Sequence, residues 1–284
     1  MSRTSAQVLA LLLSLGAALG DEVRVAKPDT VLVRSGDLVL KALLWRPQGH
    51  GPFPAVLFNH GSGHALGADA SGLPDKRHPE LLGPVFAKHG YAFLYLFRRG
   101  DGLSRGQGVP SGDRMDSAFL AGGPEARNLV QLEILENDEL SDALAGLAYL
   151  RTLPEVDSRR IAVIGHSFGG SLTLLLAERE NMVRAVVLFS VAGYSFDRSP
   201  QLRRRLTTAA DNMTAAAFFL NARNDYSLSA AKALTAALTR LGKPSLSKVY
   251  PSVGGTAHDG HDFVHLAVST WEPDVFAFLD KRTR

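Results

Sequence analysis

Apolar residues along the chain fall into short continuous runs and longer stretches with helical periodicity, and the two kinds alternate. Val31, Leu32 and Val33 stand on one side of the Ser35-Gly36 pair and Leu38, Val39 and Leu40 on the other. β-branched and apolar residues flanking a turn pair predict an opening hairpin. From Pro54 the pattern changes, because residues 55–58 form an unbroken apolar run, as a strand covered on both faces of a parallel sheet requires. Runs of the same kind occupy residues 91–97, 161–164, 185–189, 215–220 and 246–250. Helical periodicity marks residues 79–89, 126–153, 171–179, 227–241 and 271–281 between them. Strands alternating with helices after a hairpin predict an α/β chain on a doubly wound, mostly parallel sheet with an N-terminal antiparallel hairpin. The glycine-rich stretch 100–123 has little periodicity and is expected to be a long loop bordering a functional site. No internal repeat interrupts this order.

Composition narrows the reading. With 284 residues, 45% hydrophobic and 21% charged, the chain can bury roughly three quarters of its unfolded surface. Neither a metal nor a disulfide is needed as a staple, and there is no cysteine. The 31 Lys and Arg against 28 Asp and Glu leave a net charge of +3, too weak and too dispersed for a surface that tracks nucleic acid. The small basic runs at Arg203, Arg204 and Arg205 and at Lys281 and Arg282 fit solvated helix faces.

The first twenty residues have the pattern of an export signal: Arg3, an apolar stretch over residues 8–19, and small residues before Asp21. Ser14 and Gly16 interrupt that stretch, which falls short of the about 20 apolar residues of a membrane span. The expectation is a removable signal peptide over residues 1–20, a single domain over 21–284, a secreted or periplasmic location, and no stable membrane insertion. The sequence Asn212-Met213-Thr214 would be a glycosylation acceptor only in a eukaryotic secretory route, and is expected to be a chance occurrence.

The strongest chemical signal is local. The apolar run 161–164 leads directly into Gly165-His166-Ser167-Phe168-Gly169-Gly170 and then into the helical residues 171–176. A strand, a tight turn and a helix in succession expose a serine hydroxyl on a sharp bend, which glycines permit by letting neighbouring backbone approach. The positive end of the following helix faces the same point.

On these residues the chain resembles the α/β-hydrolase superfamily, and within it the dienelactone-hydrolase-like and prolyl-oligopeptidase-like esterases and peptidases. The resemblance runs over nearly all of the chain beyond the signal. Asn59-His60-Gly61-Ser62-Gly63 follows the Pro54 strand, as the family's oxyanion loop does. Arg98-Arg99-Gly100-Asp101-Gly102-Leu103-Ser104 resembles the family's R-G-x-G-x-S turn. Dienelactone hydrolases proper use a cysteine nucleophile, so their specific reaction is not carried over.

A serine nucleophile needs a base, and the base a carboxylate to hold it. In this superfamily the order is serine, acid, histidine. Asp225 follows the apolar strand ending at Leu220 and resembles the family's G-x-x-D turn, with Ala222 in place of the glycine; it could also serve as a helix cap. Gly260-His261-Asp262-Phe263 resembles the family's G-H-x-F and assigns the base to His261, with His258 as competitor. His258, His261 and His265 are also spaced by three and four, a spacing that can gather metal ligands, but the glutamate of an H-E-x-x-H site is missing. Oxyanion donors are expected from the amides of Phe168 and, by resemblance, Ser62. The expected activity is hydrolysis of small to medium carboxylic esters through an acyl-enzyme on Ser167, with neither cofactor nor metal and a small-molecule ester as the partner. Peptide hydrolysis by the same residues, or a silent binding protein of the same fold, are the alternatives.

Overall fold

A computed structural model of the chain describes residues 27–62 and 77–283. The export-signal reading over residues 1–20 and Gly63 of the loop after the Pro54 strand lie outside the described residues. In chain order the elements are β1 (Asp29–Ser35), β2 (Leu38–Trp45), β3 (Phe53–Asn59), α1 (Arg77–Lys88), β4 (Ala92–Leu96), a single 3-10 turn (Gly102–Ser104), α2 (Ser111–Glu136) and α3 (Asp138–Thr152). There follow β5 (Val156–His166), α4 (Phe168–Arg179), β6 (Ala185–Phe189), α5 (Ser195–Arg198), α6 (Pro200–Asn212), β7 (Ala216–Ala222), α7 (Ser229–Arg240), β8 (Ser245–Tyr250), α8 (Ala257–His261), α9 (Phe263–Leu266) and α10 (Val268–Thr283).

The eight strands form one sheet in the order β1-β2-β4-β3-β5-β6-β7-β8. β1 and β2 form the expected antiparallel hairpin and β2 joins β4 antiparallel, while β3 to β8 run parallel. Because successive side chains on a strand point to opposite faces, Ile161 and Val163 of β5 enter one core and Ala162 and Ile164 the other. The first core is closed by side chains of α3, α4, α6 and α7, the second by α1, α9 and α10. This double covering is why the central strands are apolar without alternation.

The order of strands sets where a site can form. From β3 the chain moves outward to β4, then crosses back through α2 and α3 to β5 on the other flank of β3. The direction of winding therefore reverses between β3 and β5, and a crevice opens beyond their carboxyl ends. Asn59 and Gly165 pair across those ends.

Two segments differ from the sequence expectation. The stretch 100–123 is not a loop throughout: α2 begins at Ser111, and its backbone breaks at Gly122 (φ −148°) and Gly123 (φ 70°) before resuming at Pro124. Glycines and a proline at the break erase the local signal, although buried Met115 anchors the first half. Residues 126–153 are two helices rather than one, divided at Asn137.

α10 is anchored by Trp271, fully buried, whose Nε1–H donates to the Val264 carbonyl (2.9 Å) and whose ring meets Phe189 edge-on at 5.1 Å. Trp271→Ala is expected to lower the free energy of unfolding by about 3–5 kcal/mol, seen as a fall in the urea midpoint at unchanged slope.

Candidate active site

β5 ends at His166, and Ser167 occupies the cap of α4 with φ 54° and ψ −117°. A non-glycine residue in that region is strained. Ser167 is held there by its N–H donating to the Phe189 carbonyl (2.9 Å) and by its own carbonyl accepting from Ala192 N–H (3.0 Å). The two glycines of the turn are required by close approach rather than by flexibility. A Cβ at Gly165 would lie 2.2 Å from the Gly169 carbonyl oxygen, and one at Gly169 would lie 2.0 Å from that of Asn59. The strand, the helix and the end of β3 thus converge on one point.

The hydroxyl of Ser167 meets His261 Nε2 at 2.8 Å, and His261 Nδ1 meets Asp225 Oδ1 at 2.7 Å. Both Asp225 oxygens are acceptors, Oδ1 also from Tyr226 N–H and Oδ2 from Asn221 Nδ2 at 2.7 Å each. His261 therefore carries its proton on Nδ1, and Nε2 is left to accept from Ser167. The Asp225 side chain is fully buried, and that of His261 is 11% exposed.

The backbone of His261 is fixed as firmly as its ring. Thr256 and Asp259 form a capping box at the start of α8. At the other end of α8, the His261 carbonyl accepts from His166 Nε2–H and from Ser190 Oγ–H, both at 2.9 Å. Burial and the neighbouring His261 hold the His166 imidazole well below its ordinary pKa, so it stays neutral. Ser190 is buried with φ 51°. The sequence carries no mark of its role, which arises where β6 ends beside the turn of β5.

His258 is placed elsewhere, its Nδ1 accepting from the Tyr226 hydroxyl at 2.9 Å. His265 turns to Asp262, Nδ1 to Oδ1 at 2.6 Å. The three histidines spaced by three and four do not converge as ligands, because the helix stops after His261 and restarts at Phe263.

The loop after β3 is positioned by the first residue of the Arg98 to Ser104 turn, a role that its sequence context does not mark. Arg98, wholly buried at the end of β4, donates through Nη2 to the carbonyls of His60 (3.0 Å) and Gly61 (2.9 Å), and through Nε to the equally buried Glu139. Burial pushes the Glu139 carboxyl up, and the Arg98 charge works against that rise. Because a trans peptide sets C=O and N–H on opposite sides, turning the Gly61 carbonyl toward Arg98 sends the Ser62 N–H the other way. Ser62, Phe168, Ser167 and His261 line one cavity of about 400 Å³. The broken helix α2 roofs it with Met115 and Asp116 before the break and Arg127 and Gln131 after it. The stretch 100–123 does border the site, as expected, partly as helix.

A family model described as the dienelactone hydrolase family matches residues 84–264. The quorum-quenching protein AidA of Acinetobacter baumannii is 27% identical over 160 residues, covering 56% of this chain and 42% of that protein. Among solved structures, the acylaminoacyl peptidase of Pyrococcus horikoshii superposes with a TM-score of 0.63 at 18% identity, over 92% of this chain and 42% of that one. An esterase of Pyrococcus furiosus gives 0.63 at 16% identity, over 91% of this chain and 94% of that one. The chain spans about two fifths of AidA and of the peptidase. At these identities the two structures show a shared fold.

Removing one partner of a buried pair strands the other charge. Glu139→Ala is expected to cost about 3–5 kcal/mol in urea unfolding, and the apolar double replacement Arg98→Met with Glu139→Leu to recover most of that loss.

Proposed function

The chain belongs to the dienelactone hydrolase family, and from that premise and the geometry of the cavity we propose that it is a serine hydrolase acting on carboxylic esters of small to medium size. The observation that carries the proposal is the unbroken series Ser167 Oγ, His261 Nε2, His261 Nδ1, Asp225 Oδ1, with contacts of 2.8 and 2.7 Å, opening on the cavity. A cysteine nucleophile is impossible in a chain without cysteine, and serine at the same bend supplies the hydroxyl instead.

In this mechanism His261 takes the Ser167 proton as the oxygen attacks the ester carbonyl, and Asp225 stabilises the imidazolium. The amides of Phe168 and Ser62 hold the oxyanion, the first at the positive end of α4 and the second turned from Arg98 by the peptide plane. His261 then protonates the departing alcohol. Water, deprotonated by the same imidazole, clears the acyl-enzyme.

Ester cleavage is in line with the likeness to the P. furiosus esterase, and peptide cleavage by the same residues is the second reading, in line with the likeness to the peptidase. The likeness to AidA supports a narrower reading in which the substrate is a quorum-sensing signal. Residues 1–20 remain proposed as a removable signal, and the location as secreted or periplasmic.

A fluorophosphonate probe is expected to label the purified protein and not Ser167→Ala; label persisting in that variant would remove Ser167 as nucleophile. His261→Ala and Asp225→Asn are expected to lower turnover of short aryl esters by about 10⁴-fold. Chromogenic peptides and a quorum-sensing reporter culture test the two narrower substrates, and inertness toward all of them would favour a binding protein of the same fold.

A further inference from the structure

We propose that His78, Asp262 and His265 form a binding site for a divalent transition-metal cation in the wall of the cavity that holds Ser167. The site goes beyond the ester-hydrolase reading and does not depend on it.

The three residues come from distant parts of the chain. His78 lies in the first turn of α1, Asp262 between α8 and α9, and His265 within α9. One donor atom from each lies within 4.8 Å of the others, and none of the residues is more than 9% exposed. Two imidazoles and a carboxylate make a donor set suited to zinc and its first-row neighbours, with positions left open for water or substrate. All three also line the cavity, so an open position would face the space where a substrate oxygen arrives.

A second observation concerns an unmet hydrogen bond. Among the described residues, Asp262 Oδ2 is buried without a hydrogen-bond partner, a costly state for a polar atom inside a protein. His265 Nδ1 lies 2.6 Å from Asp262 Oδ1, so a cation that replaces the proton between these two atoms would be held by Nδ1 and the carboxylate together and would give Oδ2 a partner.

The rings of His78 and His265 are stacked at 3.8 Å, 10° from parallel. Parallel rings cannot both direct a lone pair at one ion, and bonds of about 2.0–2.1 Å from zinc to nitrogen require one ring to turn. Binding should therefore open the stack, with His78 as the ring that turns, since His265 is held by Asp262.

The test uses the full chain carrying Ser167→Ala, which separates cation binding from hydrolysis, after treatment with a chelator. Zn²⁺ followed by calorimetry, and Co²⁺ followed by its visible absorption, are expected to saturate at one ion per chain. Asp262→Asn and His265→Ala should each weaken binding about tenfold or more, whereas His258→Ala, outside the cluster, should leave it unchanged. Absence of saturable binding, or unchanged affinity in both cluster variants, overturns the proposal. Zinc-edge X-ray absorption on the unaltered chain needs no variant to fold: two imidazoles in the coordination shell support the site, and a shell without imidazole refutes it. Loss of the metal site with retained probe labelling of Ser167 in the unaltered chain would leave the hydrolase reading standing.

Discussion

The backbone at Ser167 sits at φ 54°, a conformation that a non-glycine residue adopts at a cost of order 1–3 kcal/mol, and the rest of the site depends on that bend being held. It is held because β5 lies in the middle of the sheet, flanked at its carboxyl end by β3 on one side and β6 on the other. The neighbours on each side then contribute backbone directly: Phe189 and Ala192 bond the serine's own peptide groups, while the carbonyls of Asn59 and His60 pack against Gly169. A side chain at Gly165 or Gly169 would push those layers apart, so the pattern of glycines records a packing constraint in three dimensions.

Around that bend the structure repeats one device, in which a buried polar group anchors main chain rather than a side chain. Arg98, neutralised by Glu139, takes two carbonyls of the loop after β3 and thereby orients its amides. His166 and Ser190 converge on the carbonyl of His261 and fix the C-terminal end of α8, from which the imidazole reaches the serine. Such anchoring suits a site whose groups must be poised before substrate arrives. It also accounts for part of the polarity buried here, since Arg98 Nη2, His166 and Ser190 each donate to loop or helix-end carbonyls.

Electrostatics divides the imidazoles of the cavity into kinds. Burial and the adjacent Arg98 charge press His60 well below its ordinary pKa, and burial does the same to His166, so both serve as neutral structural rings. His261 is set apart by the carboxylate behind it. Asp262, immediately beyond, is opposed in its ionisation by burial, yet the hydrogen bond from His265 holds its pKa at about 2. What sets the His78, Asp262 and His265 group apart is the meeting within 4.8 Å of donor atoms from the start of α1 and from the α8–α9 segment.

The residues themselves determined the alternation of strands and helices, the hairpin at the start, and the strand, turn and helix around Ser167, because each of these is set by neighbours within a few positions. The order of Ser167, Asp225 and His261 along the chain was legible too, the first two standing just beyond apolar runs that read as strands and the third in the segment after the last strand. What the tertiary structure decided was the pairing across long separations. His261 and not His258 faces Ser167 because α8 ends where two donors from β5 and β6 seize its last carbonyl. Arg98 reaches back to residues 60 and 61 because the sheet sets β4 beside β3. The helix at 111–136 forms despite Gly122, Gly123 and Pro124 because its two halves pack as a roof, a gain that local propensity does not contain. His78 meets Asp262 and His265 only because α1 and α9 share one face of the sheet. Periodicity and turn chemistry are properties of short segments, whereas the meeting of side chains far apart in sequence is a property of the folded sheet.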